Sequence, residues 1–193
     1  EYSKIPKPKY LLVAPFNMRE RLLEKIEREI RNKKRGAKAH IIWKANSLVD
    51  DQIIDKLYEA STYGVQVDII VRGICCLPTQ KSNPHFFAMS IIDKFLEHSR
   101  VYYFFNKGDE ECYISSADIM VRNLDYRVEL ACPIMDSLEI KKIKKFLSIQ
   151  LQDTVKGRIQ NANMSNPRNT LHKSKNIRSQ DEIYRWIAKG SKV

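Results

Sequence analysis

Two short segments hold side chains that suit phosphorus chemistry. Phe95-Leu96-Glu97-His98-Ser99-Arg100 sets an imidazole two residues from a guanidinium, and Ser115-Ser116-Ala117-Asp118 adds two hydroxyls and a carboxylate. Imidazole titrates near neutrality and can attack, protonate or hold a phosphoryl group. A guanidinium fork grips two phosphoryl oxygens at once. Two further arginines stand beside apolar runs: Arg72, ahead of Gly73 in Val71-Arg72-Gly73-Ile74-Cys75-Cys76-Leu77, and Arg127, which closes Arg122-Asn123-Leu124-Asp125-Tyr126-Arg127. Ordinary alternatives exist for each: a lone histidine is more often structural, and an arginine at a strand end often pairs with a nearby carboxylate. Arg122 is divided evenly between phosphate contact and solvent. Asp118, Asp125 and Asp50 read as acids that orient arginines, although helix capping alone would explain Asp50.

The elements that must position these groups follow from periodicity. Tyr10–Ala14, Ile41–Lys44 and Val65–Val71 are short apolar runs expected to be buried strands. Between them, residues 18–34 carry Leu22, Leu23, Ile26 and Ile30 on one face, with Asn17 and Glu20 spaced as a capping box. A second helix after Asp50 or Asp51 turns Ile53, Ile54, Leu57 and Tyr58 to the core. Strand, helix, strand with short connections predicts a βαβ unit with parallel strands, in which ligands gather outside the carboxyl ends. Gly73 would let the backbone turn beside Arg72 and a ligand approach closely. Beyond it the spacing predicts a loop over residues 75–85, a helix from Ser90 to Glu97, a hairpin of Val101–Phe105 with Cys112–Ser115, and a strand Val128–Cys132. A helix from Ser137 to about Asp153 and a short one capped by Ser179 complete the chain. The run Tyr102-Tyr103-Phe104-Phe105 is expected to be core and hairpin face rather than a stacking platform for bases.

Bulk properties narrow the class. The 193 residues, 43% hydrophobic and 30% charged, suit one principal core. No apolar run approaches the roughly 18 residues of a membrane span. Cys75, Cys76, Cys112 and Cys132 lack zinc-ligand spacing and are expected to be buried thiols in a reducing cytoplasm. Glu1 is neither an initiator Met nor part of a signal peptide, as expected of a piece of a longer protein. The formal charge is +11, and residues 154–193 hold nine Lys or Arg against two acids. Such an excess attracts polyanions in general and does not choose among them. No Gly-x-x-x-x-Gly-Lys-Ser/Thr loop is present, so ATP would not be held as in P-loop enzymes.

Five motifs in order, Leu11-Leu12-Val13-Ala14-Pro15-Phe16-Asn17, Asn46-Ser47-Leu48-Val49-Asp50 and the stretches around Arg72, His98 to Asp118 and Arg127, make the chain resemble the C-terminal catalytic region of bacterial polyphosphate kinase, the long-chain-synthesising type. The resemblance runs from about Tyr10 to about Arg158. It implies an α/β fold, a phospholipase D-like sandwich on a mixed, mostly parallel sheet flanked by helices, over residues 1–158, with 159–193 as a basic extension bearing a short helix. It also implies reversible transfer of the ATP terminal phosphate to polyphosphate through a phosphohistidine in a preceding domain, so that this piece alone would fold yet be inert. His98 would be the second histidine, touching the transferring phosphate or protonating a leaving oxygen. Arg72 and Arg127 would bind nucleotide or phosphoryl oxygens, and Arg100 would support them. Mg²⁺ would arrive with ATP, its ligands lying outside this chain. ATP or ADP, polyphosphate and the preceding domain are the expected partners, with a homo-oligomeric full-length enzyme, no specific nucleic acid, and a cytoplasmic or inner-membrane-peripheral location. His98-Ser99-Arg100 is similar to the His-x-Lys of phospholipase D enzymes with arginine for lysine, which disfavours the alternative of a phosphodiesterase or nuclease half. A non-enzymatic polyanion-binding module is the other alternative. Around Asn83-Pro84-His85-Phe86-Phe87-Ala88-Met89 the chain departs from the family's usual loop.

Overall fold

In the computed structural model, which describes residues 8–77, 83–170 and 176–191, one sheet organises the chain. Its strands are β1 (Leu12–Ala14), β2 (His40–Ala45), β3 (Gln66–Val71), β4 (Phe86–Ser90), β5 (Val101–Phe104), β6 (Glu111–Ser115), β7 (Glu129–Pro133) and β8 (Arg158–Ile159). They lie in the order β1-β7-β6-β5-β2-β3-β4-β8. Helices α1 (Met18–Lys34) and α2 (Asp51–Thr62) cover one face, α4 (Ser137–Leu151) the other, and α5 (Ser179–Ala188) packs on α4; α3 (Val121–Asp125) is a single short turn before β7.

The sheet is mixed, as expected, but only β2–β3 and β3–β4 pair in parallel. The other pairings are antiparallel, so the expectation of a mostly parallel sheet is corrected. After β4 the chain crosses back to the far side of β2, where β5 enters antiparallel and β6 returns beside it as a hairpin.

The larger core lies under α1 and α2, where Leu22, Ile26, Ile30, Ile53 and Leu57 meet Ile41, Trp43, Ile69, Tyr102 and Phe104. The aromatic run of β5 is core, with Trp43 5.1 Å from Tyr102 and 5.9 Å from Phe104 between ring centres. Asp50 caps α2 by accepting from Ile53 N. Asn17 does not cap α1: its Oδ1 accepts from Val13 N at 2.7 Å, knotting the turn out of β1.

The expected helix from Ser90 to Glu97 is absent. Phe86–Ser90 instead extends the sheet beside β3, burying Phe86, Ala88 and Met89. Residues 91–100 then run on without regular structure, their polar groups met by side chains. Part of the expected 75–85 loop, residues 78–82, lies outside the described residues. The 158/159 boundary cuts through β8, which adds antiparallel to β4. Of the cysteines, only Cys112 is fully buried; Cys76 is exposed, Cys75 and Cys132 are partly covered, and all four are free thiols. Burial pushes the Cys112 thiol up to about 12 and that of Cys75 up to about 11. No helix among the described residues is long and apolar enough to cross a membrane.

Candidate active site

Strand direction brings the candidate residues to one edge. The carboxyl ends of β2, β3 and β4 point the same way, and the register sets Lys44 opposite Val101, Val101 opposite Ile114, and Ser115 opposite Ala131. That edge therefore collects Asn46 after β2, Arg72 after β3, His98 and Arg100 before β5, Ser116 and Asp118 after β6, and Arg127 before β7. Parallel bridges of Leu48 to Cys75 and to Ile119 knit the loops after β2, β3 and β6 into one floor.

Asp118 is the hub of this floor. Its carboxylate accepts from Arg100 Nε at 3.1 Å and Nη2 at 3.2 Å, and from the backbone N–H of Asn46 at 2.8 Å and Ser47 at 3.3 Å. Burial alone would raise its pKa; the Arg100 guanidinium and the two N–H groups outweigh that and hold the carboxyl below its ordinary range. Asn46 passes the order on, since its Oδ1 accepts from Arg72 Nε at 2.6 Å. Arg100 Nη1 lies 3.5 Å from His98 Nδ1 and donates to the His98 carbonyl at 3.3 Å. His98, Arg100, Asp118, Asn46 and Arg72 thus form one connected set, with the imidazole exposed and the two guanidiniums half-buried.

Gly73 has a role other than the expected one. A Cβ there would stand 2.7 Å from the Asn46 carbonyl oxygen, which accepts from Gly73 N at 2.8 Å. The glycine lets the β2 and β3 loops touch, and that contact fixes where Arg72 and Asn46 meet.

Other expected roles also change. The hydroxyls of Ser115 and Ser116 are spent on β7: Ser115 Oγ donates to Leu130 O at 3.0 Å, and Ser116 Oγ donates to Glu129 while accepting from Leu130 N. They stitch β6 to β7 at this edge. Asp50 and Asp125 do orient an arginine, but it is Arg19. Its Nη1 donates to Asp50 at 2.6 Å, and its Nε and Nη2 donate to both oxygens of Asp125 at 2.9 and 2.7 Å. Two carboxylates raise its pKa further above the ordinary arginine value. Arg122 and Arg127 are exposed, and no carboxylate among the described residues pairs with either. Arg127 stands at the same edge as the set around Asp118 without joining its hydrogen bonds.

Sequence reasoning missed the support beneath His98. Lys44 is 1% exposed, and its Nζ donates to Glu97 Oε2 at 2.9 Å. Burial lowers its pKa, an effect that Glu97 opposes. Glu97 also accepts from Gln150 Nε2 at 2.6 Å and Gln180 Nε2 at 2.7 Å. Gln180 further takes the N–H and C=O of Phe95, and Arg178 grips Asp93. The irregular segment that carries His98 is thereby pinned by β2, α4 and the start of α5. The one signal for this in the sequence was a lysine inside an apolar strand.

Among the described residues no group of three or more His, Cys, Asp or Glu could hold a metal ion.

Residues 11–180 match the family described as Polyphosphate kinase C-terminal domain 2. The chain is 43% identical over 183 residues to polyphosphate kinase of Salmonella typhimurium, covering 92% of the chain and 26% of that protein. The crystal structure of polyphosphate kinase from Porphyromonas gingivalis superposes with a TM-score of 0.90 at 41% identity, over 96% of this chain and 29% of that one. A phospholipase D family member, Nuc from Salmonella typhimurium, matches at a TM-score of 0.59 and 16% identity over 79% of this chain and 97% of its own, a likeness of fold alone. The chain spans about a quarter of the length of the curated relatives it matches.

Proposed function

Because this chain belongs to the polyphosphate kinase C-terminal domain family, we propose that it is one half of a site that moves the terminal phosphoryl group of ATP to inorganic polyphosphate and back. The observation that carries the reading is the connected set at one edge, in which Asp118 and Asn46 hold Arg100 and Arg72 on either side of the floor below an exposed His98.

In the proposed reaction a histidine of a preceding domain attacks the γ-phosphorus. The bond to the β,γ-bridging oxygen breaks, ADP leaves with that electron pair, and an N–P bond forms. A terminal oxygen of polyphosphate then attacks the same phosphorus, and the N–P bond breaks. Arg72 holds phosphoryl oxygens whose charge spreads in the transition state, a task that suits a planar fork fixed beforehand by Asn46. Arg127, exposed and without a carboxylate partner among the described residues, supplies a second fork. His98 contacts the transferring phosphate or protonates the leaving oxygen, with Arg100 fixing its segment. Mg²⁺ enters as the companion of the nucleotide, where it would neutralise phosphate charge.

A preceding domain facing this edge is supported by the apolar residues around it. Phe95 and Leu96, ahead of His98, are each 71% exposed, and Tyr126 and Val128, flanking Arg127, are 81% and 80% exposed. Large side chains so bare beside a polar site suit cover by another protein surface.

The test is phosphoryl transfer from ATP to polyphosphate by the intact gene product. His98→Ala and Arg72→Ala are each expected to lower kcat/KM by about 100-fold or more, as loss of a transition-state contact does, with thermal unfolding unchanged. Full activity in both variants, or none in the unaltered enzyme, would overturn the reading. Salt-sensitive polyanion binding indifferent to Arg72→Ala would point to a binding module instead.

A further inference from the structure

Beyond β3 the same edge carries a second concentration of positive charge that the set around His98 does not use. Ser90 ends β4 directly opposite Arg158 of β8, and Arg158 in turn forms an antiparallel bridge with Arg168. Two arginines facing each other across a bridge repel, and like charges in that position are destabilising unless something negative lies between them. Lys156 adds a third cation. Ser90, Ile92, Val155, Lys156, Arg158 and Arg168 line one cleft of about 260 Å³. None of the three cations has an acidic partner among the described residues. Asp93 feels the charge of Lys156, but Arg178 Nε and Nη2 occupy its two oxygens.

The backbone that presents these cations is built rather than loose. The buried Asp153 carboxylate accepts from the N–H groups of Val155, Lys156 and Gly157, and from that of Ser179. Gly157 fits only because it lacks a Cβ, which would stand 2.3 Å from the Asp153 carbonyl oxygen. On the far side, Ile159 N donates to Pro167 O at 2.8 Å and Asn169 N donates to Gly157 O at 2.9 Å, fixing Arg168 against Arg158.

Strand spacing sets the distance to the candidate active site. β8 lies two strands from β3, so the Arg158 backbone is roughly 10 Å across the sheet from that of Arg72, and Arg168 roughly one strand further. A ligand reaching both places must be long, flexible and negative along its length. ATP held by Arg72 needs no such reach; a polymer of phosphate does.

We propose that Lys156, Arg158 and Arg168, with the Ser90 hydroxyl, form a distal subsite for the polyphosphate chain, holding units behind the end that reacts near His98. The inference rests on the proposed phosphoryl-transfer reading for its ligand, and its residues are separate from those of that reading. Holding the chain away from the reacting end anchors long chains between successive additions and leaves ATP binding alone.

The experiment uses the intact gene product carrying Arg158→Ala together with Arg168→Ala, with Arg158→Lys/Arg168→Lys as the charge-preserving control and thermal unfolding to verify the fold. Equilibrium binding of long-chain inorganic polyphosphate is measured without nucleotide, and KM for polyphosphate and for ATP are measured in the transfer assay. The alanine pair is expected to weaken polyphosphate binding and raise its KM roughly tenfold, the effect of losing about two phosphate contacts, to flatten the salt dependence of binding, and to leave KM for ATP within twofold. The lysine pair is expected to recover most of the affinity. Unchanged polyphosphate binding in the alanine pair overturns the subsite, and so does an equal rise in both KM values. If the unaltered protein transfers no phosphate, the phosphoryl-transfer reading fails, while the binding measurement still decides whether these arginines hold the polymer.

Discussion

At the scale of single residues, Asp118 decides how well the candidate site is ordered. It touches no substrate in the proposed chemistry, yet it fixes Arg100 directly and Arg72 through Asn46. Asp118→Asn keeps the shape and removes the charge, so transfer by the intact enzyme is expected to fall about 10- to 100-fold, as loss of an orienting carboxylate does, with a smaller effect on KM for ATP. An unchanged kcat would show that the arginines order themselves. Its pH signature has a definite sign. Because the folded-state pKa lies below that of the unfolded chain, the stabilisation is complete above the ordinary carboxylate range of about 4 and disappears as the pH falls through the depressed value. Denaturant midpoints of this chain at pH 6 and at pH 3 should show a loss that Asp118→Asn diminishes; equal losses in both would remove Asp118 as a source. The residue types themselves were readable in the sequence, and so was the arginine-orienting role of the acids. The partners were not, because Arg19 meets Asp125 across 106 positions and Asp118 meets Asn46 across 72.

At the scale of elements, the stretch from Ser90 to Glu97 was read as a helix but is a strand end followed by irregular chain, and the error has a physical basis. Its apolar spacing suits a helix, but Gln180 supplies the hydrogen bonds that Phe95 would otherwise find in one, and the buried Lys44–Glu97 pair holds its far end. The helices α1, α2, α4 and α5 were legible because amphipathic periodicity is a local property. β4, β8 and the antiparallel pairings other than the expected β5–β6 hairpin were not, since a two-residue strand or a five-residue apolar run has meaning only beside its neighbour. Removing one member of the buried pair exposes its cost: Glu97→Ala leaves Lys44 charged in the interior and is expected to cost about 3–5 kcal/mol. Lys44→Met with Glu97→Leu is expected to recover most of that loss while His98 stays loosely held, with hydrogen exchange at residues 95–98 faster than in the unaltered protein. Urea unfolding of the three proteins checks the first expectation; unaltered exchange in the double variant would deny the pair any role in holding His98.

At the scale of the molecule, the candidate site draws on segments from Asn46 to Asp118, with supports reaching forward to Lys44 and on to Gln180, so it exists only when the whole sheet does. That dependence explains why five ordered motifs read the family more directly than any element assignment did: the motifs mark strand ends at one edge, whichever way the strands between them pair. The described part of the 159–193 region, expected as a basic extension bearing a short helix, belongs to the same body through β8 and through α5 on α4. The brevity of β8 has a consequence for behaviour in concentrated solution. A terminal strand leaves unpaired peptide groups that another molecule can extend, and short length with paired cations is a known defence against that. Arg158 of the two-residue β8 faces Arg168 on the segment bridged to its outer side, so a second copy docking at this margin would bring four guanidiniums together. Replacing both by valine is therefore expected to turn the sheet's margin into a template for self-association. The rise in light scattering would be concentration-dependent and suppressed when the arginines are restored, and its absence would show that this margin is too short to recruit a strand whatever its charge.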